Sequence, residues 1–178
     1  GRAAGSVAAG VVFTGTDQLA GRWLITGNAT STAGPAGRAG EANGSSLGVL
    51  VSNGTLTVVS GNTTLTGIAV NSAGVSLGNP SANTGTGLSV ASGAFLDLTG
   101  CSTGYAGVLA TGGPLTVGGA GSMNISGRSV SDAGVLFLLS SLTSNNGSSP
   151  IVFINGCSTS GSGVSFANLA GIGNASSV

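Results

Sequence analysis

Short apolar strands recur along the chain in a tetrad of glycine, apolar, variable and apolar residues. The two apolar positions are never polar, whereas the position between them accepts both kinds of residue. This alternation has a period of two, which is typical of a β-strand with one face always buried. The glycines that open the seven copies are Gly10, Gly48, Gly67, Gly87, Gly107, Gly134 and Gly163.

The spacing between successive tetrads varies, which indicates coils joined by loops of different length. Further short strands are expected at Pro114 to Val117, Ser122 to Ser126, Ser141 to Thr143 and Ile151 to Ile154. Gly, Asn, Ser and Thr fill the intervening turns. The pattern predicts an all-β fold, a single parallel β-helix (β-solenoid) of about seven coils with two to three short strands each. The connection rule for parallel strands favours right-handed winding.

One continuous domain is expected. Residues 1–47 are predicted to form one or more irregular, loop-rich first coils, and residues 48–178 the regular coils.

A second repeat precedes three of the tetrads and predicts the position of both cysteines. The blocks TGCSTGYA, SGRSVSDA and NGCSTSGS end at the same offset, so Cys101, Arg128 and Cys157 should occupy equivalent places on neighbouring rungs. Strands in a sheet lie about 4.8 Å apart, which separates the two cysteines by about 9.6 Å. A disulfide needs Cα atoms within about 7 Å. We therefore expect Cys101 and Cys157 not to be bonded to each other.

Composition excludes several classes of function. The chain has 35 Gly, four basic and four acidic residues, no His and zero net charge. Four scattered arginines cannot neutralise a phosphate backbone, so no nucleic-acid partner is expected. The longest apolar run is far shorter than the roughly 20 residues of a membrane-spanning helix, so no membrane insertion is expected. The apolar share of 40% with balanced charge predicts a folded chain.

Candidate catalytic and metal-binding groups are sparse. The acidic residues are Asp17, Glu41, Asp97 and Asp132. No two of them share a coil position, and a local ion pair with Arg128 is the expected role of Asp132. Because neither a paired carboxylate nor a His or Lys base is available, we expect no enzyme activity. Two cysteines on separate rungs without His cannot complete a metal site, so no cofactor is expected.

Seven asparagines begin the glycosylation sequence N-x-S/T. In a eukaryote that secretes this protein, several of them would carry glycans. They are Asn28, Asn43, Asn53, Asn62, Asn124, Asn146 and Asn174.

The G-apolar-x-apolar strands and the Gly/Asn/Ser-rich turns resemble the parallel β-helix repeats of secreted adhesins and autotransporter passenger domains, including the filamentous-haemagglutinin-like group. The resemblance covers most of Gly48 to Val178. It implies an elongated shaft, extracellular or at the cell surface, that serves attachment or assembly. A host or matrix glycan or protein is the partner that this resemblance implies.

The ends of the predicted solenoid suggest self-assembly. Open ends of a solenoid expose strand edges that must be capped or paired. We expect head-to-tail stacking of copies into a filament, in which Val11 and Phe13 of one copy meet Val164 and Phe166 of the next. An ice- or glycan-binding solenoid is the alternative, and a polysaccharide-acting β-helix enzyme is less favoured. An ice-binding solenoid needs flat outward rows of threonine. Thr57, Thr99 and Thr116 are the candidates, although the outward row between them is interrupted.

Overall fold

A computed structural model describes residues 8–29, 46–78, 86–138, 141–145, 151–167 and 171–175. All regular structure in these ranges is β-strand, with no helix, as the alternation predicted. The strands are β1 (Ala8–Ala20), β2 (Trp23–Ala29), β3 (Ser46–Ser60), β4 (Asn62–Ala69), β5 (Val75–Leu77), β6 (Gly87–Val90), β7 (Phe95–Ser102), β8 (Val108–Thr111), β9 (Pro114–Gly118), β10 (Ser122–Ser129), β11 (Val135–Leu138), β12 (Ser141–Asn145), β13 (Ile151–Ser158), β14 (Val164–Ala167) and β15 (Gly171–Ala175).

The strands stack in parallel on three sides of a β-solenoid. The first side is formed by residues 8–14 of β1, residues 46–52 of β3, then β5, β8, β11 and β14. The second side is formed by residues 16–20 of β1, residues 55–60 of β3, then β6, β9, β12 and β15. The third side is the sheet of β2, β4, β7, β10 and β13. One turn of the solenoid separates each strand of the third side from the next, so its five strands span four turns.

Inward side chains form continuous apolar rows along the stack. On the first side, Val49, Val75, Val108 and Val135 follow one another in register, and each is fully buried. Leu56, Leu88 and Leu115 form the equivalent row on the second side. Burial of these rows is the main favourable term for the fold, at about 25 cal/mol per Å² of apolar surface.

Between the end strands β1 and β14, the outward face of the first side is also buried, which explains its nearly continuous apolar strands. Leu50, Leu109 and Leu136 point away from the main core and pack with Ala106 and Ala133, which lie in the turns before this side. Tyr105 contacts the same group and is half-buried. A strand covered on both faces loses the alternation of polar and apolar residues. This accounts for the variable middle position of the tetrad.

Pairs of glycines seven residues apart form the corner between the third and first sides. A Cβ atom on Gly100 would overlap the carbonyl oxygen of Gly107, and a Cβ on Gly127 would overlap that of Gly134. The six residues between each pair leave the corner and return to it, so the two backbones touch where they meet. The same contact occurs in three further coils. Those pairs are Gly67 with Gly74, Gly156 with Gly163, and Gly27 with Gly48, of which the last are 21 residues apart along the chain.

The position of this corner shows that the number of coils cannot be obtained by counting the tetrads. Gly67 lies on the third side, in β4, and is the first glycine of a pair, while Gly87 begins β6 on the second side. The first-side strand of that coil is β5, which follows Gly74 and was not among the seven tetrads. The seven tetrads therefore do not mark seven coils, because glycine-apolar-x-apolar occurs on all three sides.

The glycine corner makes a stability prediction. Gly100→Ala should lower the free energy of unfolding by about 3 kcal/mol or more, because the added methyl meets backbone that cannot move without shifting a rung. Denaturant unfolding of the purified variant measures the effect. Gly93→Ala is the matched control, since Gly93 has a positive φ of 75° but open space around it. Its expected cost is about 1 kcal/mol. Equal losses in the free energy of unfolding for the two variants would contradict the close backbone contact at the corner.

Tyr105 makes a pH prediction. Burial, and then the negative charge of Asp132, raise the pKa of Tyr105 above its ordinary value of 10.0. The folded state therefore favours the neutral phenol, so its stabilising contribution is complete below pH 10 and decreases as the pH rises above that value. As Tyr105 is the only tyrosine, absorbance of the phenolate in native and denatured protein reports it directly. If the phenolate formed in the native protein at the same pH as in the denatured protein, or at a lower pH, the raised pKa would be contradicted.

Candidate functional site

Cys101, Arg128 and Cys157 form one outward row on the third side. Arg128 pairs in register with Cys101 on one neighbouring strand and with Cys157 on the other. The repeat predicted this equivalence, which places an arginine rung between the two thiols. Both cysteines are free, with Cys157 exposed and Cys101 half-buried. Ile68 precedes them in the same row and is 42% exposed.

A serine at the start of each repeated turn links that turn to the turn of the preceding coil. Ser129 Oγ donates a hydrogen bond of 2.6 Å to the carbonyl of Tyr105 in the preceding turn. The same oxygen accepts a hydrogen bond from the amide of Asp132, three residues ahead. Ser102 and Ser158 occupy the equivalent position and make the same two kinds of bond. The repeated blocks are therefore one turn built three times, as the sequence predicted.

A shallow groove of about 330 Å³ runs beside this row. The residues that line it include Ile68, Cys101, Arg128 and Val130. Val130 is 47% exposed. The groove is open and mostly apolar, and none of the described residues that line it is acidic.

The described acidic residues lie apart from one another. Asp97 points outward from β7 and accepts a hydrogen bond of 2.7 Å from the side-chain amide of Asn124. Asp132 accepts a bond of 2.7 Å from the amide of Ala133, and the expected ion pair with Arg128 is absent because the carboxylate caps its own turn instead. Asp17 lies on an inward row, paired with Leu56. Glu41 lies outside the described residues.

Outward hydroxyl groups form a row on the second side and another on the third side, where the last member, Asn155, carries an amide instead. On the second side, Thr57, Ser89, Thr116 and Thr143 follow one another in register, and the hydroxyls of Thr116 and Thr143 lie 3.3 Å apart. On the third side the row comprises Thr26, Thr66, Thr99, Ser126 and Asn155. Of the candidate threonines, Thr57 and Thr116 therefore share a row, whereas Thr99 lies on another side. The sequence missed these rows because the loops between coils vary in length.

Within the described residues, three asparagines of the N-x-S/T sequences are exposed. Asn28, Asn53 and Asn62 each present an exposed side chain, and Asn53 adopts a positive φ of 58° beside the corner between the first and second sides. Asn124 is half-buried and its amide nitrogen is already bonded to Asp97. Asn174 lies in β15 opposite Ser144. Asn43 and Asn146 lie outside the described residues.

Both ends of the described stack are incompletely covered. At one end Val11 and Phe13 of β1 are only partly buried, and at the other end Val164 is only partly buried. Phe166 lies in the same inward row as Phe137 but is 47% exposed, whereas Phe137 is 1% exposed. The two rings are stacked with centroids 5.0 Å apart and an interplanar angle of 11°. The sequence predicted these four residues as assembly ends, which stays a prediction, and it did not predict the stacking of the rings.

Within the described ranges, no group of three or more His, Cys, Asp or Glu side chains could hold a metal ion. The same part of the chain contains no helix that is long and apolar enough to cross a membrane.

Comparison with models of protein families, with curated proteins and with known structures found no match.

The two cysteines make a reactivity prediction. Because both are free and Cys157 is the more exposed, a thiol reagent should label Cys157 faster than Cys101 in the native protein and label both equally after denaturation. Peptide mass mapping of a labelling time course measures the two rates. The variants Cys101→Ser and Cys157→Ser serve as controls, each leaving one thiol. A mass lower by two hydrogens, with no labelling, would contradict the free thiols.

Proposed function

We propose that this protein is a structural, extracellular β-solenoid, the shaft of a surface fibre or adhesin, whose copies assemble head to tail into a filament. The observation that carries the proposal is the pair of uncovered end rungs. The main-chain edges of β14 and β1 point in opposite directions along the stack and lack a described partner strand. Each edge offers the donors and acceptors that the other requires.

The side chains at the two ends support the same proposal. Partly buried apolar residues at both ends, such as Val11 and Val164, belong to one inward row of the stack. Pairing the ends would cover these residues with more of the same row. In addition, stacked equivalent positions place like charges about 4.8 Å apart, which is unfavourable. A chain with four basic and four acidic residues avoids this repulsion over any length of fibre.

The proposal retains three features of the sequence interpretation. Winding is right-handed, as parallel connections favour. The fibre lies outside the cell, where the exposed Asn28, Asn53 and Asn62 would carry glycans in a eukaryotic source. Its partner at the cell surface is a host or matrix glycan or protein, as the resemblance to adhesins implies. No enzyme activity is proposed, since the described carboxylates are dispersed.

Electron microscopy of the purified full chain, with sedimentation at increasing concentration, tests the proposal. We expect unbranched fibres with an axial repeat near 29 Å, roughly six rungs of about 4.8 Å. Val164→Asp should abolish them by placing a charge in the end rung. Val130→Asp is the matched control, because Val130 is on the lateral surface and 47% exposed. Monomers alone at high concentration, or loss of fibres in both variants, would contradict the proposal.

A second candidate, an ice- or glycan-binding solenoid, is favoured by the continuous hydroxyl rows. Thr57, Ser89, Thr116 and Thr143 present groups at a regular spacing along one side. Among the described residues the second side carries a single row of this kind, however, since Pro114 and Gly118 flank Thr116 at the neighbouring outward positions of β9. A flat binding surface needs several adjacent rows. Thermal hysteresis that is lost in Thr116→Val would favour this candidate over the shaft.

A further inference from the structure

The two ends of the stack expose opposite edges of the same rows. On the first side, the row that ends at Phe166 begins at Phe13, and the row that ends at Val164 begins at Val11. Val12 and Ser165 begin and end the outward row between them. Every intermediate rung keeps this order, so any further strand that continues the rows must match it.

We infer that copies of this chain join in one register, an inference that rests on the proposed function. In this register Val11, Val12 and Phe13 of one copy lie opposite Val164, Ser165 and Phe166 of another. The strand β14 then pairs in parallel with β1 of the next copy, as β11 pairs with β14 within one copy. A slip of one residue would turn Phe13 outward and break the inward rows. The partner is therefore a second copy of this chain in a single register.

The aromatic ring of Phe166 supports this register. One face of the ring stacks on Phe137, and about half of the side chain remains exposed. In the inferred joint Phe13 lies one rung beyond Phe166, at the spacing that separates Phe166 from Phe137. The two-ring stack then becomes a stack of three, with the middle ring covered on both faces. Phe166 therefore belongs to the joint, and its exposure in a single copy reflects the missing neighbour.

The order of the strands along the chain determines which sides of the solenoid form the joint between copies. Because β14 and β15 follow β13, the first and second sides extend one rung beyond the third among the described strands. In the inferred register β13 and β2 of the next copy are two strand spacings apart, about 9.6 Å. Phe153 on β13, which is 65% exposed, therefore makes no direct contact with Leu24 on β2, which is 77% exposed. The joint rests on the first and second sides.

The charge of Asp17 disfavours the joint and so weakens the association of copies. This residue begins the inward row of Leu56, Leu88 and Leu115 on the second side. An inward charge on an edge strand disfavours pairing, since it must lose water when the edge is covered. Neither β3 nor β15 contains a charged side chain that could neutralise it. Removing the charge should therefore strengthen the association of copies.

Disulfide trapping tests the register. Val12→Cys with Ser165→Cys, in a chain that also carries Cys101→Ser and Cys157→Ser, should form a ladder of covalent oligomers on mild oxidation. The two Cα atoms would lie about 4.8 Å apart, within the range of a disulfide. The matched control pairs Val12→Cys with Ala167→Cys, whose Cα atoms would be about 8 Å apart. It should remain monomeric on the same denaturing gel.

The outcomes separate the joint from the proposed function. Fibres that form without the Val12–Ser165 ladder, or with an equal ladder in the control, would overturn the register while leaving the shaft intact. The absence of fibres in the unmodified chain would overturn the proposed function itself. A ladder confined to the Val12–Ser165 pair would support both.

Association measurements test the side chains of the joint independently. Phe166→Ala should raise the concentration at which oligomers form by about tenfold or more. Phe153→Ala is the control, since Phe153 is the more exposed phenylalanine but lies outside the joint. Asp17→Asn should lower that concentration, whereas Asp97→Asn, which removes the same charge from the lateral surface, should leave it unchanged. Equal effects within either pair would indicate unspecific association and overturn the inference. Circular dichroism confirms that each variant is folded.

Discussion

The close contact of two glycine backbones at one corner of each coil is the constraint on which the rest of the structure depends. Where Gly100 meets Gly107, and Gly127 meets Gly134, there is no room for a side chain. The contact ends one coil and starts the next at a fixed position, so every later strand begins in register. The inward rows, the turns with their repeated serines and the outward rows all follow from that register.

Fixed register also explains why the described acidic side chains and thiols do not converge on one cleft. Equivalent residues are brought together along the stack, whereas residues that differ in coil position stay apart. Cys101 and Cys157 are separated by the Arg128 rung. Likewise Asp97 and Asp132 bond to their nearest neighbours instead of converging on one cleft. A solenoid of this composition presents long rows of similar groups along the stack.

The end rungs differ from the interior in a way that gives the proposed filament a direction. The interior rungs bury their inward side chains on both sides, whereas Phe166 has a stacked partner on one face alone. The opposite end carries apolar residues of the same rows, together with the inward Asp17. Growth by head-to-tail addition would continue the main-chain pairing and the aromatic stack, while Asp17 sets a cost on each addition. Such a balance would favour association that depends on concentration over indiscriminate aggregation.

The sequence alone determined the all-β parallel solenoid and the equivalence of Cys101, Arg128 and Cys157, because each depends on short-range alternation or on a repeated block. It did not determine the number of coils. Gly67 and Gly74 belong to two sides of one corner, and the one-dimensional pattern around each glycine is the same. The hydroxyl rows and the inward position of Asp17 likewise required the tertiary structure. Loops of unequal length shift equivalent residues along the chain, and only the pairing of backbones across coils brings them back into line.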